Sequence, residues 1–186
     1  MSVLWNAYFK YAKDPSAAVR GLVEERHFSA ALLGYAAAAL CWVVFFWIGD
    51  GLSAWGLLWR LAFFWLLEVT FGYLWAALSG LFLNFFSDSN GSSSLFVVLG
   101  LSGFVQGILL IFALFSAALP WFTPLAALAF VVSLLWRFSF VVLNTARASE
   151  VGLAKAFCVL CFAFVPVGAI ALLSLGTLIL GFSLLI

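Results

Sequence analysis

The side chains in this 186-residue chain that could do chemistry are few, and the most costly of them to bury is Glu68. Glu68 stands inside a long apolar run. An ionised carboxylate at the centre of a membrane helix costs about 2.5–3.5 kcal/mol on insertion scales, so such groups face a bundle interior and have a partner there. Gln106, halfway along the next apolar run, is the predicted partner. Arg60 lies two helical turns from Glu68, about 12 Å along the axis, which is too far for direct contact.

Two interpretations of Glu68 stay open at this stage. With Gln106 and Arg60 it forms a candidate intramembrane polar site, of the kind a small transporter or channel subunit would use. The alternative is a hydrogen-bonded packing device, which we favour because one carboxylate without a second acid or a histidine makes a poor proton relay. Arg60 and Arg137 are both expected to extend toward the membrane surface, Arg137 beside Trp136 on the cytoplasmic side.

Other reactive groups carry less weight. Cys158 and Cys161 form a C-x-x-C pattern, but they sit in an apolar helical stretch where cysteine behaves as a small hydrophobe. Together with Cys41 they make an odd number, which argues against a disulfide framework, and His27 is the only histidine. No nucleophile, metal-hydrolase or phosphate-loop motif occurs. We therefore predict a protein that is not an enzyme, with no metal and no cofactor.

Composition fixes the environment in which these groups act. The chain is 67% hydrophobic and 8% charged, with a mean hydropathy of +1.25. A soluble domain carries about 25% charged residues, so this chain could not cover a globule with a hydrated surface, and a bilayer must be its solvent. The net charge of +1 and the absence of a basic stripe exclude a nucleic-acid partner.

Apolar runs long enough to cross a membrane predict an all-α polytopic membrane protein with five transmembrane helices. The predicted spans are about 28–48, 52–86, 95–119, 125–144 and 153–186. Residues 1–27 are predicted to form a cytoplasmic or interfacial arm of short amphipathic helices. Pro166 is expected to kink the last helix or to break it.

Small residues at helical spacing recur on the second and third runs. Such residues let helices approach closely, either inside one bundle or between chains, and we favour packing inside the bundle. The predicted helix-packing residues are Gly72, Ala76, Gly80, Gly100, Gly103 and Gly107.

Orientation follows from lysines and arginines in the short flanks of the spans. Several precede the first span, and Arg147 and Lys155 flank the connection between the fourth and the fifth. We therefore expect a cytoplasmic N-terminus and a C-terminus on the opposite side of the membrane.

The layout resembles the Yip domain family, the Ypt/Rab-interacting group of membrane proteins and its bacterial relatives. The residues that carry the resemblance are Ala77 to Gly107, ALSGLFLNFFSDSNGSSSLFVVLGLSGFVQG, and a second patch from Asn144 to Pro166. The resemblance implies a non-enzymatic scaffold or adaptor that acts through helix–helix and protein–protein contacts in membrane organisation or trafficking. Its implied partners are membrane lipids and other membrane proteins, in homo- or hetero-oligomers.

Eukaryotic members of that family are associated with Rab GTPases and carry a long N-terminal region. This chain has only a short arm, so we do not expect GTPase binding, and a bacterial-type member in the cytoplasmic membrane fits better. The transporter or channel subunit with its polar site at Glu68 and Gln106 stays the alternative.

Overall fold

The computed structural model of the chain describes residue 23 and residues 27–47, 53–85 and 92–184. The helices in these ranges are α1 (Phe28–Trp47), α2 (Ala54–Asn84), α3 (Ser92–Ser102), α4 (Gly107–Ala118), α5 (Thr123–Ala148) and α6 (Leu153–Leu184). Two 3-10 turns, Gly103–Gln106 and Pro120–Phe122, lie between α3 and α4 and between α4 and α5. The predicted arm, 1–27, lies outside the described residues apart from the buried Val23 and the half-buried His27.

The all-α prediction is confirmed: the described ranges contain helices and turns and no strand. Within them, five helical segments are long and apolar enough to cross a membrane, namely α1, α2, α3 with α4, α5 and α6. A helix suits this solvent because it satisfies its own backbone hydrogen bonds where no water is present.

The structure differs from the sequence expectation most clearly in the third and fourth spans. A 3-10 turn, Gly103–Gln106, interrupts the third span. The fourth span does not end at Asn144 but continues one turn further to Ala148. The polar residues there do not begin a loop, because Asn144 Nδ2 donates to the Phe140 carbonyl at 2.8 Å and both Asn144 and Thr145 are buried.

Pro166 does not break the last span. The α6 helix runs continuously from Leu153 to Leu184 with Pro166 inside it. Membrane helices tolerate an internal proline where neighbouring groups or local adjustments satisfy the freed backbone carbonyl. The alternative that the last helix breaks at Pro166 is therefore wrong.

The tightest helix contact joins α1 to the third span through glycines. A Cβ atom on Gly34 would collide with the carbonyl oxygen of Gly100, and one on Gly103 would collide with the carbonyl oxygen of Gly34. A Cβ atom on Gly100 would lie 2.6 Å from the Ala31 carbonyl oxygen. The two backbones thus touch, as small residues permit. The sequence predicts Gly100 and Gly103 as packing residues, but it does not reveal the α1 surface of Ala31, Gly34 and Ala38 that contacts them.

The small residues of α2 are also covered by the same chain. The Tyr35 ring occupies the space where a Gly72 side chain would stand, and a Cβ atom on Gly80 would lie 2.8 Å from the Cβ of Ser92. Ala76 is buried. Gly107 differs from the expectation, because a Cβ atom there would meet nothing within 4 Å. It therefore marks no close helix contact.

Candidate functional site

Glu68 of α2 and Arg137 of α5 form an ion pair inside the helix bundle. Arg137 Nη2 donates to Glu68 Oε2 at 2.8 Å, and Arg137 Nη1 donates to Glu68 Oε1 at 3.2 Å. One guanidinium thus holds both carboxylate oxygens, the bidentate arrangement that combines strength with fixed geometry. The side chains are only 12% and 17% exposed, respectively, so each charge has its counter-charge as its main neighbour.

Three further side chains join this pair, and we call the five residues Trp42, Glu68, Ser102, Gln106 and Arg137 the central cluster. Trp42 Nε1 donates to Glu68 Oε1 at 2.8 Å. Arg137 Nε donates to Ser102 Oγ at 3.0 Å, and Arg137 Nη1 donates to Gln106 Oε1 at 3.1 Å. The cluster therefore connects α1, α2, the third span and α5.

Local structure explains why the third span supplies two of these groups. Ser102 is the last residue of α3 and Gln106 is the last residue of the 3-10 turn Gly103–Gln106, and the side chains of both accept hydrogen bonds from Arg137. The Ser102 hydroxyl donates its own hydrogen to the Leu99 carbonyl, which leaves its oxygen lone pairs for Arg137. Both residues are fully buried.

The hydrogen bonds of the ion pair leave a small remainder. A guanidinium has five N–H donors, and Arg137 uses four of them within the central cluster, which leaves one on Nη2. Among the described residues, Glu68 Oε1 accepts two hydrogen bonds, whereas Oε2 accepts one and keeps a second acceptor position. One N–H donor on Arg137 Nη2 and one acceptor position on Glu68 Oε2 thus remain unused.

A cavity of about 350 Å³ adjoins the ion pair, and both Glu68 and Arg137 line it. Its size falls in the range of small-molecule sites, roughly 300–1,000 Å³. Half of the twelve lining residues are aromatic, and they come from α1, α2, α5 and α6: Tyr35, Trp42, Phe71, Trp75, Phe138 and Phe164. The cavity is therefore an apolar space with one charged pair in its wall.

Ring contacts and one hydrogen bond hold the aromatic wall in place. Trp75 Nε1 donates to the Leu160 carbonyl of α6 at 3.0 Å. The Trp75 ring lies 5.3 Å from Phe164 and 6.5 Å from Phe138, measured between centroids. These are the distances of favourable aromatic pairs. The wall is thus built by side chains that also join α2 to α5 and α6.

The structure places the predicted site residues as follows. Glu68 and Gln106 belong to one cluster, but the Gln106 carbonyl oxygen accepts from Arg137 rather than contacting Glu68 directly. Arg60, half-buried near the start of α2, is not a member of the cluster. Gln106 Nε2 has no hydrogen-bond partner among the described residues.

One expectation is wrong. Arg137 does not extend to the membrane surface beside Trp136, because its guanidinium is turned inward to Glu68. The sequence held a usable signal: Glu68 and Arg137 are opposite charges near the middles of two different spans, and intramembrane charges of opposite sign pair with each other. Trp42 and Ser102 were missed, since neither a tryptophan nor a serine in an apolar run indicates a polar neighbour.

The three cysteines are free thiols in different surroundings. Cys41 is buried, Cys158 is exposed on α6 and Cys161 is half-buried, all as free thiols. Within the described ranges, no three side chains from His, Cys, Asp or Glu are grouped so that they could hold a metal ion.

No protein-family model matches the chain, and no curated protein sequence or solved structure matches it either. Any inference about the function of this protein therefore depends on the geometry of the central cluster and the cavity.

Proposed function

We propose that the protein is a non-enzymatic integral membrane protein that binds a small molecule in the cavity beside Glu68 and Arg137 and carries it across the bilayer. The observation that supports the proposal is an ion pair, bidentate and nearly buried, in the wall of an aromatic cavity lined by residues of five spans. Ionisable residues inside a bundle mark substrate or ion pathways more often than residues at its surface do. The small residues Gly72 and Gly80 of α2, which a partner helix could have contacted, are covered by Tyr35 and Ser92 of the same chain.

Transport requires that the cavity be reached from water, and thiol labelling tests this. In a variant without native cysteines, Leu134→Cys would place a thiol in the cavity wall, since Leu134 lines it. Leu135→Cys is the matched control, because Leu135 is the neighbour of Leu134 on α5 and is 63% exposed on the outer face of the bundle. Methanethiosulfonates react with the hydrated thiolate, so a cysteine in a wet cavity reacts much faster than one in lipid.

We expect a small, charged methanethiosulfonate added to proteoliposomes to modify Leu134→Cys at least about tenfold faster than Leu135→Cys. Equal and slow rates at the two positions would contradict a transport role. A circular dichroism spectrum matching that of the parent protein shows that each variant is folded.

A second candidate, the scaffold or adaptor of the Yip type, is favoured by one surface. On α2 the side chains of Trp59, Leu66, Tyr73 and Leu81 are each at least 60% exposed and recur every seven or eight residues. A stripe with this period suits a neighbouring membrane helix. Disulfide crosslinking between chains of a Tyr73→Cys variant would support self-assembly, with the buried Ala76→Cys as its control. A protein that stays monomeric in mild detergent, without crosslinks, would contradict self-assembly.

The proposal includes location and orientation. We place the protein in the bacterial cytoplasmic membrane with its N-terminus in the cytoplasm and its C-terminus on the opposite side. Arg147 and Lys155, both exposed at the connection between α5 and α6, support a cytoplasmic position for that connection.

A further inference from the structure

The ligand that suits the cavity can be described by its charge. Glu68 and Arg137 neutralise each other, so the wall has no net charge to offer. A cation beside Glu68 would also lie close to the Arg137 guanidinium, and an anion beside Arg137 would lie close to the Glu68 carboxylate. Either ion would add an uncompensated charge to an apolar space, which is costly. The aromatic rings that would favour a cation elsewhere are here next to a guanidinium. Neutral molecules avoid this cost.

The ligand's polar group can be described by the hydrogen bonds that the ion pair leaves unused. Arg137 Nη2 keeps one N–H donor, and Glu68 Oε2 keeps one acceptor position. These two atoms are themselves 2.8 Å apart. A hydroxyl group can donate to Oε2 or accept from Nη2, but one oxygen cannot do both, because the free N–H of Nη2 points about 120° away from the N–H that binds Oε2. A primary amide, whose donor and acceptor are separate atoms, can satisfy both positions.

We infer that the cavity takes an uncharged amphiphile, with a hydroxyl group that donates to Glu68 Oε2 or an amide group that binds both Glu68 Oε2 and Arg137 Nη2, and with an apolar body against the aromatic wall. This inference rests on the proposed role of the cavity as a binding site. Its body would contact Phe71, Trp75 and Phe164, which line the cavity and pack on one another.

Photolabelling of the wild-type protein tests the inference without any substitution. The probe is decan-1-ol with a diazirine in mid-chain, added to proteoliposomes. We expect saturable labelling of cavity residues such as Phe71 and Phe164, located by peptide mass. The outward-facing Leu135 on α5 serves as the internal reference for unspecific labelling from the lipid phase.

Competition with unlabelled ten-carbon compounds then separates charge from hydrogen bonding. We expect decan-1-ol to compete best, methyl decyl ether about tenfold less well because it cannot donate to Glu68, and decane less well still. Decylammonium and decanoate should not compete at the membrane concentration at which decan-1-ol does. Dioleoylglycerol, an uncharged lipid with one hydroxyl, shows the source of the ligand: competition by it indicates a membrane lipid, and its failure to compete indicates a diffusible amphiphile.

Three outcomes would overturn the inference. Equal competition by decane and decan-1-ol would mean that the ion pair contributes nothing to recognition, and stronger competition by either ion would mean that the ligand is charged. Absence of saturable labelling in the cavity also contradicts it. The thiol-labelling result is independent of all three, so a cavity that is wet but selects ions leaves the transport proposal intact and removes only the ligand class.

Discussion

Removing one partner of the Glu68–Arg137 pair should destabilise the bundle by different amounts depending on which partner is lost. In Glu68→Gln the guanidinium stays charged without a counter-charge, and arginine does not lose its proton in proteins. In Arg137→Met the remaining carboxylate can be neutralised by binding a proton. We therefore expect Glu68→Gln to be the more harmful of the two.

The geometry sets the size of the effect. The guanidinium and the carboxylate contact each other at 2.8 Å and 3.2 Å. At about 4 Å between charge centres, their attraction is roughly 4 kcal/mol for an effective dielectric constant of about 20. Breaking a buried pair by removing one member costs about 3–5 kcal/mol, and we expect Glu68→Gln to fall in this range. The double variant, with no charge left, should lie closer to wild type than Glu68→Gln, with a coupling energy of about 2–3 kcal/mol.

Equilibrium unfolding in mixed micelles with increasing dodecyl sulfate, at neutral pH, measures the stability of the two single variants and of the double variant. Arg147→Met is the matched control: Arg147 is exposed at the end of the same helix, and its loss should cost less than about 0.5 kcal/mol. The reasoning is refuted if Glu68→Gln unfolds like wild type, or if the double variant shows the sum of the single effects.

Three further predictions concern packing, the cluster and orientation. Gly34→Ala should destabilise the protein by about 1–3 kcal/mol or more, because the added methyl group meets a backbone oxygen. Gly107→Ala, with open space at its Cβ, should be neutral or slightly stabilising in the same unfolding assay. Equal effects of the two substitutions would contradict the described helix packing. Trp42→Phe should cost about 1.5–3 kcal/mol, because it removes the donor at 2.8 Å from a charged oxygen, and a variant as stable as wild type would mean that this hydrogen bond carries no weight. A cysteine at Glu150 should react with an impermeant maleimide from the cytoplasmic side and one at Trp121 from the opposite side, and labelling of both from one side would show that α5 does not cross.

The fold was largely accessible from the sequence because its main determinant is local. A run of about 20 apolar residues must be helical in lipid wherever it packs, so the five spans follow from hydropathy alone. The predicted end of α5 at Asn144 is four residues too early, because the polar residues from Thr145 onward are typical of a loop. In the structure the helix continues past Asn144, whose side chain donates to the Phe140 carbonyl, and both Asn144 and Thr145 are buried against the rest of the bundle.

The site was only partly accessible, because its members meet through tertiary packing. Glu68 stood out because its charge is costly, and Gln106 because it is polar at mid-span. Their link is Arg137, 69 residues from Glu68 along the chain, and nothing local indicates which way an arginine in mid-helix turns. The contact between Gly34 and Gly100 was likewise hidden, since a glycine in an apolar run reveals neither its rotation nor its neighbour.

That separation of 69 residues also bears on how the protein is made. At about 5–20 residues per second, a ribosome needs roughly 3–14 s to extend the chain from Glu68 to Arg137. During this time the second span is in or near the bilayer while its counter-ion has not yet been synthesised. Until α5 emerges, α2 must hold the Glu68 side chain without this counter-charge, at the insertion machinery or in the bilayer. The earlier spans can therefore complete their packing only after α5, which carries Arg137, has been synthesised.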